Sequence, residues 1–77
     1  MSKKLHQYTG PEVRELRKKA GMNQGDFWGR FGVTQSGASR YESGRDLPGP
    51  LNVLLNIAFQ PPAKSAATVE MLRAKRV

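Results

Sequence analysis

The sequence predicts an all-α fold, a compact bundle of four to five short helices in a single small domain. Apolar residues recur at three- and four-residue spacings, whereas the strict apolar–polar alternation typical of β-strands is absent. Glycines, prolines and N-capping residues divide these apolar stretches into short segments. Because 38% of the 77 residues are hydrophobic, the chain can form one thin core, and without cysteine no disulfide can reinforce it.

The first two predicted helices each end at a glycine. In the first, Thr9 and Glu12 have the spacing of a capping box, and Gly21 is placed to end the helix. The second is predicted at about residues 24–31, with an asparagine as its N-cap and a glycine directly after it. Its apolar stripe is aromatic and consists of Phe27, Trp28 and Phe31.

A third helix is predicted at about residues 35–42, directly after the turn Gly32-Val33-Thr34, with Thr34 as its N-cap. Two short helices joined by a short glycine-containing turn cross steeply, which is the helix-turn-helix arrangement. In that arrangement the second helix can lie in a DNA major groove with its N-terminal side chains at the base edges. No acid precedes Glu42 in this helix, so no carboxylate repels phosphates at its start.

Residues 47–60 contain no charged side chain, which predicts that this stretch lies in a core or an interface. The stretch is interpreted as a fourth helix whose main apolar face consists of Leu51, Leu54, Leu55 and Ala58. Pro61 and Pro62 are predicted to end this helix. Ser65 is predicted to cap a fifth helix in the C-terminal tail, residues 61–77.

The charge balance suggests a polyanionic partner, because thirteen basic residues against six acidic ones give a net charge of +7. His6 is the single histidine, so a metal centre or a catalytic triad has no second imidazole, and no phosphate-cradling glycine motif occurs. We therefore predict no enzyme activity, no cofactor and no metal site. No apolar run is long enough to span a bilayer, and we expect a cytoplasmic protein, associated with the nucleoid if its source is prokaryotic.

The segment from Leu16 to Pro48 carries a series of short motifs in a fixed order. They are Leu16-Arg17, Gly21-Met22-Asn23-Gln24, Gly32-Val33-Thr34-Gln35-Ser36, Tyr41-Glu42-Ser43-Gly44 and Pro48. In combination they resemble the XRE/Cro-like (lambda repressor-like) family of helix-turn-helix transcriptional regulators. The resemblance implies a lambda repressor-like bundle that binds operator DNA as a homodimer. We accordingly divide the chain into a flexible basic N-terminal arm at 1–8, a DNA-binding domain at 9–60 and the tail.

At matched positions the resemblance implies a set of DNA-contacting residues. The set consists of Gln24, Thr34, Gln35, Ser36, Gly37, Ser39, Arg40 and Arg45. Gln24 would bind a phosphate and brace Gln35, the first residue of the recognition helix, which would read a base. Ser36 and Arg40 match other base-reading positions, and Arg45 matches a basic phosphate contact.

Two pairs of matched positions are structural. The resemblance implies that Arg17 and Glu42 form a partly buried ion pair that fixes the third helix against the first. A small alanine usual on the second helix is replaced here by Trp28, and the residue it faces, usually Ile or Val, is Ala38. We interpret this difference as an exchange of side-chain size that conserves the total volume of the core.

The sequence thus predicts a sequence-specific double-stranded DNA-binding transcriptional regulator, in particular a repressor that binds a pseudo-palindromic operator. Its homodimer contact is expected in the fourth helix, the tail or both, and Met71 and Leu72 are expected to pack on the core or on a second tail. The alternative is an antitoxin-type interaction module with the same fold, whose main partner would be a toxin. A neighbouring toxin-like reading frame, or copurification with a small partner, would distinguish the two.

The size exchange can be tested by substitution of Ala38 with isoleucine. The larger side chain should overpack the core beside Trp28 and lower the free energy of unfolding by about 1–3 kcal/mol. Urea denaturation of the variant and the wild type measures this difference. An unchanged free energy would mean that Trp28 lies elsewhere, for example at an exposed interface.

Overall fold

The computed structural model describes residues 5–74, which form five α-helices and no strand. The helices are α1 (Gly10–Lys19), α2 (Gln24–Gly29), α3 (Gln35–Glu42), α4 (Gly49–Phe59) and α5 (Pro62–Arg73). The predicted all-α bundle is therefore confirmed. Residues 1–4 of the predicted arm and 75–77 of the predicted tail lie outside the described residues. None of the five helices combines the length and hydropathy needed to cross a membrane.

The first three helices begin at the predicted N-caps. Thr9 and Glu12 form the complete capping box, since each side chain accepts a hydrogen bond from the other residue's backbone N–H, at 3.2 and 3.3 Å. Asn23 and Thr34 each accept from the backbone N–H three residues further on, at 2.8 and 3.1 Å. These bonds satisfy N–H groups that the first helical turn leaves unpaired.

α2 ends at Gly29, before the predicted end at residue 31, because the chain tightens into a turn. The Gly32 N–H donates to the Gly29 carbonyl at 3.0 Å, and the Val33 N–H reaches back to the Trp28 carbonyl at 3.2 Å. Gly32 has a φ of 77°, in the left-handed region that side chains with a Cβ rarely adopt. This turn sets the direction in which α3 leaves α2.

The core is small and draws on α1 to α4 and on the segment before α1. Its buried apolar residues are Tyr8, Val13, Phe27, Trp28, Ala38, Leu51 and Leu55. Trp28 and Ala38 are both fully buried in this cluster, in agreement with the predicted size exchange. The Trp28 ring lies 5.7 Å from that of Tyr41 on α3, and the Phe27 ring stacks at 5.7 Å on that of Phe59 on α4. Aromatic contacts from α2 therefore join α3 to α4.

α4 buries a different face from the one predicted. Leu51 and Leu55 are buried, but Leu54 is 45% exposed and Ala58 also lies at the surface. Two asparagines, Asn52 and Asn56, are buried in their place. The expectation for Leu54 and Ala58 is wrong because apolar character alone could not show that these asparagine amides have buried hydrogen-bond partners.

The buried asparagines of α4 bind the backbone that precedes α1. Asn52 Oδ1 accepts from the Tyr8 N–H at 2.8 Å, and Asn56 Oδ1 accepts from the His6 N–H at 3.1 Å. Both Nδ2 groups donate to the His6 carbonyl at 2.9 Å. Residues His6 and Tyr8 are thus held against α4, which differs from the flexible arm predicted over 1–8. The reason is that extended backbone needs partners for its polar groups, and the two amides supply them.

α5 is present, but it begins at Pro62 and not after a Ser65 cap. Proline suits the first turn of a helix because its missing N–H would be unpaired there. Ser65 instead lies within the first turn, where its hydroxyl donates to the Gln60 carbonyl at 2.9 Å. Met71 and Leu72, expected to pack on the core or a second tail, are 48% and 55% exposed. Neither side chain belongs to the core cluster of the described residues.

Substitution of Asn52 with alanine should test the attachment of the N-terminal segment. The change leaves the buried Tyr8 N–H without its acceptor and should lower the free energy of unfolding by about 1–3 kcal/mol. Urea denaturation provides the measurement. Gln7 is exposed within the same segment, so Gln7→Ala serves as the control and should change stability by less than about 0.5 kcal/mol. Equal stability of the two variants would contradict the role assigned to Asn52.

Candidate nucleic-acid interface

α3 presents a polar face to solvent. Ala38 is fully buried and Tyr41 is half-buried, so these residues hold the opposite face of the helix against the core. The predicted contact residues with exposed positions are Thr34, Gln35, Ser36, Ser39, Arg40 and Arg45. An exposed helix with hydrogen-bonding side chains and no acid on its first turn has the properties that a major-groove reader requires.

Gly37 is half-buried in the first turn of α3, where it packs against the turn that precedes the helix. A Cβ at this position would lie 3.3 Å from both the Thr34 hydroxyl oxygen and the Val33 Cγ1. Glycine therefore lets the N-cap side chain fold over the first turn. This role adds to the close approach of the backbone that the sequence predicts at this position.

Gln24 has other partners than the one predicted. Its Nε2 donates to Glu42 Oε1 at 3.2 Å, and its Oε1 accepts from the Ser39 hydroxyl at 3.0 Å. The Gln35 side chain instead lies beside Gly25 on α2. A Cβ added at Gly25 would be 3.6 Å from Gln35 Oε1. The predicted contact between Gln24 and Gln35 is thus replaced by hydrogen bonds between Gln24 and the following turn of α3. That turn offers both an acceptor, Glu42, and a donor, Ser39.

The Glu42 carboxylate joins three helices. Arg17 on α1 binds it in a two-pronged arrangement, with Nε 2.8 Å from Oε2 and Nη2 3.0 Å from Oε1. On α2, the Trp28 indole N–H donates to Oε2 at 2.6 Å, and Gln24 binds Oε1. The Glu42 side chain is only 6% exposed, so these donors replace water around the charge. The ion pair implied by the resemblance is present as part of this larger cluster.

The cluster keeps Glu42 ionised. Burial alone would raise the pKa of the Glu42 carboxyl, but hydrogen bonds from Arg17, Trp28 and Gln24, with the positive charge of Arg17, hold that pKa below its ordinary value. The hydrogen bond with Glu42 likewise raises the pKa of Arg17. The carboxylate therefore acts as a permanent hydrogen-bond acceptor at neutral pH.

Trp28 has a polar role in addition to the space-filling one that the sequence pattern predicts. A buried tryptophan usually needs an acceptor for its indole N–H, and this requirement was the available signal. Because the indole reaches Glu42, the large residue at this position contributes a hydrogen bond as well as volume.

The comparison with known proteins agrees with this geometry. The RsaL-like HTH domain family matches residues 14–58, which is more than half of the chain. The chain belongs to the RsaL-like HTH domain family. This helix-turn-helix family is related to XRE-type regulators, so the resemblance is confirmed at that level. No curated protein and no solved structure gives a significant match.

The match of the RsaL-like domain runs from α1 to α4 and includes every donor to Glu42. It begins at Arg14, which is not among the contact residues predicted from the sequence. The Arg14 Nε lies 3.9 Å from Glu42 Oε1, and its side chain is 49% exposed. It lines an open depression of about 570 Å³ together with Arg17, Gln24, Ser39, Glu42 and Ser43. Arg14 and Arg17 are three residues apart, which places both on one face of α1. This spacing could have predicted the basic site from the sequence.

Substitution of Glu42 with glutamine should destabilise the RsaL-like domain by about 1.5–3 kcal/mol at pH 7, because it removes the charge that compensates the half-buried Arg17. The folded-state pKa of Glu42 lies below its ordinary 4.5, so its stabilisation is complete above that pH and is lost as the pH falls through the folded-state value. The stability difference between wild type and variant should therefore shrink on acidification.

Urea denaturation at pH 7 and at a pH well below 4.5, where Glu42 gains a proton, measures this difference. The exposed Glu15 of α1 provides a control, and Glu15→Gln should remain within about 0.5 kcal/mol of the wild type at pH 7. A difference for Glu42→Gln that is the same at both pH values would contradict the stabilising role of the ionised carboxylate.

Proposed function

We propose that this RsaL-like HTH protein is a sequence-specific double-stranded DNA-binding transcriptional repressor that binds a pseudo-palindromic operator as a homodimer. The observation that supports the proposal is the exposed polar face of α3, on a helix held firmly from behind by the core and by Glu42. A reader of bases must be exposed and yet immobile, because a loosely held helix loses the geometry that distinguishes one base pair from another.

The side chains on that face suit direct readout of bases. A glutamine can form two hydrogen bonds with adenine, and an arginine can do the same with guanine N7 and O6. Gln35 opens α3 and Arg40 lies in its second half, and both are exposed. The small residues between them, Ser36 and Gly37, allow the helix to approach the floor of the groove. Gln35 and Arg40 are therefore proposed as the main base readers.

Basic and amide groups around α3 are suited to hold the phosphates. Arg45 is exposed just beyond α3. Arg14 and the amide of Gln24 both line the open depression beside that helix. With a net charge of +7, the chain should release counterions on binding, so affinity should fall steeply as salt concentration rises. These contacts would position the domain on the duplex and leave base selection to α3.

The proposed dimer contact involves α4 and α5. Leu54 on α4 and Met71 and Leu72 on α5 are large apolar side chains about half-exposed at the surface of the monomer. Burial of such residues against a second copy is favourable because it removes apolar area from water. Two recognition helices about 34 Å apart would then read successive major grooves, and repression would follow from occlusion of a promoter.

Selection of bound sites from random duplex DNA tests the proposal. An enriched inverted repeat supports both sequence readout and the two-fold dimer, and an enriched site without symmetry opposes the dimer. No enrichment would oppose sequence-specific binding. The enriched site is then placed inside a promoter that drives a reporter, where a loss of output on expression of the protein supports repression.

Gln35→Ala and Arg40→Ala should each reduce affinity for the enriched site by about 1–3 kcal/mol with helical content unchanged. Fluorescence anisotropy at fixed salt measures binding, and circular dichroism monitors the fold. As controls, Gln7→Ala removes the same side-chain type as Gln35→Ala, and Lys64→Ala removes the same charge as Arg40→Ala. Both positions are exposed and lie outside α3, so both variants should bind almost normally. Wild-type affinity in both α3 variants would show that another surface reads the DNA.

A further inference from the structure

A chain of hydrogen bonds runs from the core to the exposed face of α3. Trp28 and Arg17 donate to Glu42, Gln24 also donates to Glu42, and Ser39 donates to Gln24. The first members are buried or half-buried, and Ser39 is exposed. The direction of each bond along this chain determines which hydrogen-bonding groups remain for DNA.

The orientation of the Gln24 amide follows from the charge of Glu42. An ionised carboxylate can only accept hydrogen bonds, so the amide must turn its NH₂ group toward Glu42. The reverse orientation would place two oxygens against each other at about the 3.2 Å of the present contact. The Gln24 carbonyl oxygen therefore faces Ser39, 3.0 Å from its hydroxyl.

The same logic fixes the Ser39 hydroxyl. An amide carbonyl oxygen can only accept, so Ser39 must use its one hydroxyl proton for Gln24. What remains on the outer side of Ser39 is a pair of oxygen lone pairs. An ordinary exposed serine can rotate its hydroxyl to donate or to accept, but Ser39 is held as an acceptor.

We propose that Ser39 is a specificity-determining residue that selects a base with a hydrogen-bond donor in the major groove. Adenine N6 and cytosine N4 provide such a donor, whereas guanine and thymine present acceptors at the corresponding positions. Ser39 lies three and four residues after Ser36 and Gln35, so it shares their face of α3. Phosphate oxygens only accept, so the held hydroxyl does not suit a phosphate contact. The inference rests on the proposed function, since it requires α3 to enter the groove.

Ser36 provides a contrast within the same helix. It is exposed, and among residues 5–74 no side chain holds its hydroxyl proton as Gln24 holds that of Ser39. Ser36 can therefore adapt to a donor or to an acceptor. Only the position read by Ser39 should show a preference that depends on the Gln24 carbonyl.

The experiment starts from the site enriched by the wild type and identifies the position whose preference changes in Ser39→Ala. All four base pairs at that position are then measured with wild type, Gln24→Met and Ser36→Ala. Methionine is similar in length to glutamine, but its thioether sulfur is only a weak acceptor, so the Ser39 hydroxyl becomes free to rotate. Any general loss of affinity from Gln24→Met cancels in the ratio between base pairs.

The wild type should favour adenine or cytosine over guanine and thymine at this position by about tenfold. In Gln24→Met the preference should fall to about twofold or less, whereas Ser36→Ala should keep it. The proposal is overturned if the wild type prefers guanine or thymine there, if Gln24→Met keeps the full preference, or if Ser39→Ala changes no position.

The failure of this inference can be distinguished from failure of the proposed function. If positions dependent on Gln35 and Arg40 exist but none depends on Ser39, only the inference fails. If the wild type enriches no sequence, the proposed function fails and the inference fails with it.

Discussion

One buried carboxylate holds the first three helices of this RsaL-like domain together. Glu42 receives hydrogen bonds from Arg17 on α1 and from Gln24 and Trp28 on α2, while it belongs to α3 itself. A carboxylate with 6% of its side chain exposed would be costly without these donors. With them, it fixes the angle between the two helices of the helix-turn-helix unit and their position on α1. A thin apolar core is thus supplemented by directional bonds that permit one arrangement.

The same cluster links the fold to the surface proposed to read DNA. Trp28 lies fully in the core, whereas Ser39 is exposed, and only Glu42 and Gln24 lie between them. Each bond determines the donor or acceptor role of the next group. The stability of the core and the hydrogen-bonding character of the recognition face therefore depend on a shared set of contacts, and a change at Trp28 would affect both.

A second polar arrangement closes the other side of the domain. Asn52 and Asn56 of α4 bind the backbone at His6 and Tyr8, so the segment before α1 completes the interior. Because these two asparagines lie on the buried face of α4, Leu54 lies at the surface. The exposure of Leu54, one of the apolar side chains proposed for dimer contact, is therefore a consequence of the face that α4 buries toward its own chain.

Local chemistry in the sequence was sufficient for the starts of the first three helices and for the family. The caps at Thr9, Asn23 and Thr34 and the turn at Gly32 depend on neighbours within a few residues, so their spacing predicts them. The face of α4 and the partners of Gln24 depend on residues far apart in the chain. Such contacts follow from which donors and acceptors the folded backbone brings within about 3 Å of each other, and no periodicity in the sequence encodes that distance.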